Sequence, residues 1–318
     1  MCVMTEVTVV RRWTPVLLAT VLAASATGLV GGPAYASAGA RPVLSVGGEV
    51  TTPAAYTAAQ LAALPQTTAT VAVGGRHVTD TGVLLETLVT NAGPAYPASL
   101  LNTKNELLRV TVTVRGAGHR RVTFAVGELD AGFGNHPALL ALTQNGHRIA
   151  PELVVPGDRA PVRLVPRVSR LTVGIATTPA TSTSTAAGTP VEVIDGRHHV
   201  TLSAACWRGC PPRPWTCRSR DRAGRRPTPR SGPSLFEVLA AARIWPPFNT
   251  WVAAVGNDNY TATVTLAEQL AGGRPLQLSL NEDGTALAQP RLVTDGDVKG
   301  GRYVSGMVDI YVGTGPAS

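Results

Sequence analysis

The sequence predicts an α+β protein, mostly strand with short helices, in which one unit is used twice in tandem. Three observations predict it. Stretches such as Val110-Val112-Val114 alternate apolar with polar residues, the two-residue period of a half-buried strand. Segments such as Gly82-Val83-Leu84-Leu85-Glu86-Thr87-Leu88-Val89 place apolar residues at helical spacing after a glycine-containing turn. Pieces of residues 41–175 also recur, in the same order, in residues 191–315.

The N-terminus is read first. Arg11 and Arg12 precede an apolar run from Val16 to Val30, and Ala34-Tyr35-Ala36 supplies an A-x-A cleavage pattern. Residues 1–36 therefore read as a signal peptide and the mature chain as secreted or extracytoplasmic, with Sec and twin-arginine export both open. No later apolar stretch approaches the ~18 residues that cross a bilayer, so no membrane span is expected in the mature chain.

The repeated pieces follow in chain order. Gly82 to Val89 matches Gly232-Pro233-Ser234-Leu235-Phe236-Glu237-Val238-Leu239, a short amphipathic helix in each copy. The strand-turn-strand ending at Glu128 matches that ending at Glu268, with Gly116 opposite Gly256 and Phe124 opposite Val264. Leu140-Ala141-Leu142 running to Asn145-Gly146 matches Leu278-Ser279-Leu280 running to Asp283-Gly284, a strand entering a hairpin turn. Arg163-Leu164-Val165 matches Arg302-Tyr303-Val304, and Leu171-Thr172-Val173 matches Ile310-Tyr311-Val312 as closing strands. Between the copies, residues 176–190 are rich in Thr, Ser, Pro and Ala without hydrophobic period, which reads as a solvated linker.

Composition fits a folded chain: 44% of the 318 residues are hydrophobic and 15% charged. The net charge of +8 is local. Within Cys206 to Arg230, "CWRGCPPRPWTCRSRDRAGRRPTPR", eight arginines against Asp221 account for seven of those charges, leaving one for the rest of the chain. No basic face remains to bind nucleic acid or an anionic membrane.

That segment is also where the repeat breaks. Ser203-Ala204-Ala205 matches Thr57-Ala58-Ala59, and the likeness then stops at Cys206. If each codon takes the last base of one residue and the first two of the next, Cys-Trp reads Leu and Trp-Arg reads Ala (or Glu). Gly-Cys then reads Leu or Val (or Met), and Cys-Pro reads Pro or Ser. The recovered Leu-Ala-x-(Leu/Val)-Pro is the first-copy string Leu61-Ala62-Ala63-Leu64-Pro65. Further on, Pro214-Trp215-Thr216-Cys217 becomes hydrophobic-Asp-hydrophobic, the alternation of Thr70-Val71-Ala72-Val73, and the repeat resumes in frame at Ser231-Gly232. Residues 206–230 thus read as a compensated frameshift. Competing readings are a disulfide, a basic arm and a metal site; the last has three thiolates where zinc usually takes four ligands.

The unit as a whole resembles the sulfite oxidase-like molybdopterin-binding domain. The likeness rests on the Leu61-Ala62-Ala63-Leu64-Pro65 helix end, Thr81-Gly82-Val83-Leu84-Leu85, the central strand-turn-strand, the strand into Asn145-Gly146, and Pro161-Val162-Arg163-Leu164-Val165 with its closing strand. It implies two tandem domains of that fold and, in the family's enzymes, molybdenum held by one Cys thiolate. The corresponding window, Val73 to Asp80, has no cysteine, and neither His77 nor Asp80 replaces a soft, deprotonated sulfur. The resemblance also marks candidate cofactor-binding positions. Arg163 lies where a guanidinium meets an anion, or else pairs with Glu152 or Asp158 to fix its strand. Asp258 and Tyr260 keep two places of an Asp-Gly-Tyr turn, with a turn-stabilising role for Asp258 as the plainer reading. His77 and His119 fall near the ancestral cleft. His198 and His199, adjacent on a strand, point to opposite faces.

The expectation is a protein without redox chemistry that binds a small molecule or protein. No catalytic or metal-ligating residue is expected, and no cofactor. The rival is a molybdopterin-dependent oxidoreductase with unusual ligation. Independent DNA reads across codons 206–230 test the frameshift: a compensating insertion and deletion are expected, and an unbroken frame in every read would exclude it.

Overall fold

The alternation in the sequence becomes strand in the computed structural model, which describes residues 41–73, 76–101, 103–179, 188, 190–203, 213–216, 229–245 and 249–317. The signal-peptide reading of residues 1–36 and most of the 206–230 segment lie outside the described residues. Residues 41–318 fall in one compact unit.

Its first half runs β1 (Leu44–Gly48), β2 (Ala54–Tyr56), α1 (Ala58–Ala63), β3 (Thr67–Val73), β4 (Arg76–Leu84), α2 (Leu85–Ala92), β5 (Val110–Arg115), β6 (Arg121–Ala125), α3 (Val126–Leu129), β7 (Leu139–Gln144), β8 (His147–Val154) and β9 (Arg170–Ile175). The second runs β10 (Val191–Asp195), β11 (His198–Leu202), β12 (Arg213–Thr216), β13 (Pro229–Gly232), α4 (Leu235–Ala241), β14 (Thr250–Gly256), β15 (Thr261–Thr265), α5 (Leu266–Leu270), β16 (Leu276–Glu282), β17 (Thr285–Thr294) and β18 (Met307–Thr314).

In the first half β2-β1-β9-β5-β6 form one sheet, parallel only between β1 and β9, and β3-β4-β7-β8 form an antiparallel second. The second half has sheets β11-β10-β18-β14-β15 and β12-β13-β16-β17, the same two orders advanced by nine strands. Registers agree as well: Val112 faces Phe124 as Val252 faces Val264. The architecture is a strand-rich α+β arrangement, as the alternation predicts.

Each half buries its own apolar faces. In the first, Val112 and Val114 of β5, Phe124 of β6 and Leu171 of β9 meet Leu140 of β7 and Leu153 of β8, with Leu85 and Leu88 of α2 between. In the second, Val252, Val264 and Ile310 meet Leu278 and Leu292, with Leu235 and Leu239 of α4. Full burial of such side chains contributes about 1.5–3 kcal/mol each. The second core also takes in Leu108 and Phe133 from the first half. Two helices start on reciprocal capping boxes, Thr57 with Gln60 and Ser234 with Glu237, which satisfy amide donors that a short helix cannot.

Two sequence readings change here. Ala176, which opens the supposedly solvated linker, is buried with Trp251, Ala253 and Ala317, because Arg109 donates to its carbonyl and anchors it. Within the 206–230 segment, the printed residues 213–216 form a strand. Arg213 faces Gly232 as Thr67 faces Gly82, so β12 is level with Thr67–Thr70 rather than Thr70–Val73. Among the described residues it is an edge strand, bonded to β13 alone, where the missing amide hydrogen of Pro214 is tolerated.

Gly82 and Gly232 occupy one structural position. A Cβ on Gly82 would run into the carbonyl oxygen of Leu140, and one on Gly232 into that of Leu278. Neither obstacle is a side chain that can turn away. Gly82→Ala is therefore expected to lower stability by about 1–3 kcal/mol, measured by denaturant unfolding, and wild-type stability would contradict this close approach.

Candidate functional site

The matched glutamates and arginines of the two halves converge in the interior. In the first half, β6 ends in the single turn α3, which turns Glu128 inward, and a 3-10 turn at Pro161–Arg163 delivers Arg163. Both side chains are fully buried. Arg163 donates from Nη1 to Glu128 Oε1 at 2.7 Å, and from Nε and Nη2 to the two oxygens of Asp158 at 2.9 and 2.6 Å. Its guanidinium also lies over the Phe124 ring, 4.9 Å from the centroid.

The second half repeats the arrangement. Arg302, on the 3-10 turn Gly300–Arg302, donates to both oxygens of Glu268 at 2.8 and 2.7 Å and to both oxygens of Asp297 at 2.9 and 2.5 Å. Thr294 Oγ1 adds a 2.6 Å bond to Asp297. Two-point contact between a planar guanidinium and a carboxylate is the strongest form of this pairing.

A second basic side chain closes each cluster from the loop after the glutamate-bearing helix. His136 sets Nδ1 3.1 Å from Glu128 and Nε2 3.4 Å from Asp158. Arg274 sets Nε 3.5 Å from Glu268 and Nη2 3.1 Å from Asp297. The clusters lie against one another across the contact between halves: a Cβ on Gly272 would meet both His136 and Arg163, and one on Gly127 would meet the Arg302 side chain.

Burial and pairing compete in setting protonation. Burial alone would raise Glu128, but Arg163 and then His136 outweigh it and hold the carboxyl at about 2. Glu268 moves the other way. Its burial, the facing Glu128 and Asp297 together exceed the pull of Arg302, and its pKa is raised. Both arginines lie above their ordinary range, since their carboxylates outweigh the cost of burial.

Of the residues singled out from sequence, Asp258 and Tyr260 are joined by a hydrogen bond. Arg163 is buried and takes the pairing reading, with Asp158 and not Glu152. Glu152, half-buried beside Asp80, has its pKa raised by burial and by that neighbour. Exposed His77 lies on β4 and exposed His119 on the turn between β5 and β6, in different sheets. Asp258 accepts the Tyr260 amide hydrogen at 3.0 Å, its turn-stabilising role. Tyr260 donates its hydroxyl to the Gly301 carbonyl and accepts from Asn105 at 2.8 Å. Exposed His198 and His199 follow one another on β11. The sequence reading missed His136, Arg274 and Asp297; Glu128, Glu268 and Arg302 were visible only as matched positions of the repeat.

In the first half, the described residues offer molybdopterin no thiolate. The window expected to carry the thiolate runs through β3 and β4 and offers only His77 and Asp80 as ionisable donors besides Arg76, and Asp80 is buried with an amide hydrogen from Gln144 at 3.1 Å. Arg163 is paired with carboxylates of the chain itself. Among the described residues no group of His, Cys, Asp and Glu is arranged to hold a metal ion, and no helix is long and apolar enough to cross a membrane.

No protein-family model matches the chain, and no curated protein does. Among solved structures, the sulfane dehydrogenase SoxCD from Paracoccus pantotrophus is similar over 77% of this chain and 68% of its own, at 16% identity and a TM-score of 0.31.

The opposite shifts of the two glutamates give opposite pH dependences. Glu128 is lowered from 4.5 to about 2, so its contribution is fully present above pH 4.5 and is lost as pH falls toward 2. Glu268 is raised, so its contribution is present below 4.5 and is lost as pH rises through its folded value. Glu128→Gln is expected to cost about 3–5 kcal/mol at neutral pH by stranding part of Arg163, and to flatten the acid limb. Glu268→Gln is expected to cost less at neutral pH. Urea unfolding across a pH series checks both, and equal losses with parallel acid limbs would contradict the assignment.

Proposed function

We propose that the chain is an exported protein of two tandem sulfite oxidase-like domains that has lost molybdenum redox chemistry and serves as a binding or scaffold module for a small molecule or protein. The observation that carries the reading is the state of Arg163. The guanidinium that the resemblance would aim at a phosphate instead has Asp158 on two of its nitrogens and Glu128 on the third, in a place without solvent. Arg302, its counterpart, is closed in the same way.

The repeated strand order supports the tandem part of the reading, since two unrelated halves would have no reason to share both sheet orders and registers. The absence of a thiolate from Val73 to Asp80 supports the loss of chemistry, because His, Asp and Arg are not equivalent donors for a soft metal site. Fold alone does not fix the activity, so the test is on the group itself.

The measurement is molybdenum by mass spectrometry, with pterin fluorescence, on protein exported from a frame-repaired gene in a host that makes the cofactor. The expected result is no stoichiometric molybdenum and no pterin emission. One molybdenum per chain would overturn the reading in favour of an oxidoreductase with unusual ligation.

A further inference from the structure

The contacts between the halves are reciprocal. Arg159 and Val298 hold equivalent places, each four residues before its buried arginine, and each sends its amide hydrogen into the other half's loop. Arg159 donates to the Ala271 carbonyl at 2.9 Å and Val298 to the Phe133 carbonyl at 2.8 Å. Those two loops are themselves equivalent, since each follows a glutamate-bearing turn and each supplies a basic side chain, His136 or Arg274, to its cluster. The helices obey the same rule: α3 packs on β15 and α5 packs on β6, while β6 and β15, the matched edge strands, pack on each other. A contact in which i meets j and j meets i is an isologous, two-fold interface, the kind by which identical subunits form dimers.

The detail is not symmetric. Phe133 of the first half lies against Gly301 of the second, where any Cβ would strike its ring. Arg159 of the first half lies against Gly273 of the second, where a Cβ would strike its side chain. In these two contacts the projections come from the first half and the glycine recesses from the second, while Arg302 of the second half lies against Gly127 of the first and the Ala317 backbone against Gly174. If a second copy of the first half took the partner's place, the Phe133 loop would meet Arg159 with no recess to receive it. Two second halves would bring Gly273 and Gly301 to the contact with neither Arg159 nor Phe133 to fill those recesses.

We infer that the surface between the halves is a two-fold dimer interface turned inward, and that the fit of Phe133 to Gly301 and Arg159 to Gly273 makes it select the other half of the same chain over a second copy. Complementarity to the right partner and collision with the wrong one together give such selectivity. Arg274 donating to the Gly134 carbonyl at 2.6 Å, and Arg109 donating to the Asn259 carbonyl at 3.1 Å, fix the pairing from both sides. The inference rests on the tandem part of the proposed function and not on the loss of redox chemistry, so molybdenum content leaves it untouched.

The test uses the full exported chain. Light scattering at tens of micromolar is expected to give the mass of one chain. Gly301→Ala is expected to lower the melting temperature by several degrees, and Phe133→Ala in the same chain to make that substitution nearly neutral, because the ring it meets is gone. If Gly301→Ala alone does not fold, the double variant is expected to fold and supplies the comparison with Phe133→Ala. Independent effects at 133 and 301 would overturn the fitted recess. A two-chain mass that falls to one chain in Gly301→Ala would overturn the pairing within one chain.

Discussion

A guanidinium buried without water must be met by carboxylates, and two such groups in contact fix much of what surrounds them. Arg163 and Arg302 have no exposed surface. Each needs two carboxylates, delivered from the turn after a sheet-edge strand and from the loop before its own 3-10 turn. That demand explains why β6 and β15 both end in a tight turn carrying a glutamate, and why Asp158 and Asp297 each lie five residues before their arginine. Such clusters contribute little net stability over a well-packed apolar core. Breaking one strands a buried charge, so they exclude other arrangements more than they strengthen this one.

Because the clusters lie at the contact between halves, they also link two cores into one folded unit. Gly127 and Gly272 let the backbone of each half approach the other half's cluster, and Leu108 and Phe133 enter the second core.

Much of this architecture was legible in residue order. Alternating Val110-Val112-Val114 became β5, and matched pieces occupy matched strands. Of the two segments read as helix, only the parts from Leu85 and Leu235 became α2 and α4, while Gly82-Val83-Leu84 and Gly232 close β4 and β13, which pair with β7 and β16. Glu128 with Glu268 and Arg163 with Arg302 were matched as well, yet their pairing was hidden, since the glutamate and arginine of each pair are more than thirty residues apart in sequence. His136 and Arg274 escaped notice because their loops differ in length, eight residues after Glu128 against six after Glu268, so an ungapped match cannot align them. His77 and His119 drew attention as chemistry-bearing residue types, but a lone histidine carries no information about its neighbours, and both are exposed. The contact between halves was illegible for a related reason: periodicity shows that a face is buried, not what covers it.

Arginine side-chain NMR tests the central claim most directly. If the chain's own carboxylates close both guanidiniums, the Nε–H signals of Arg163 and Arg302 will exchange slowly with solvent and stay in place as inorganic phosphate is added to tens of millimolar. Fast exchange, or a saturable phosphate-dependent shift at either arginine, would contradict it.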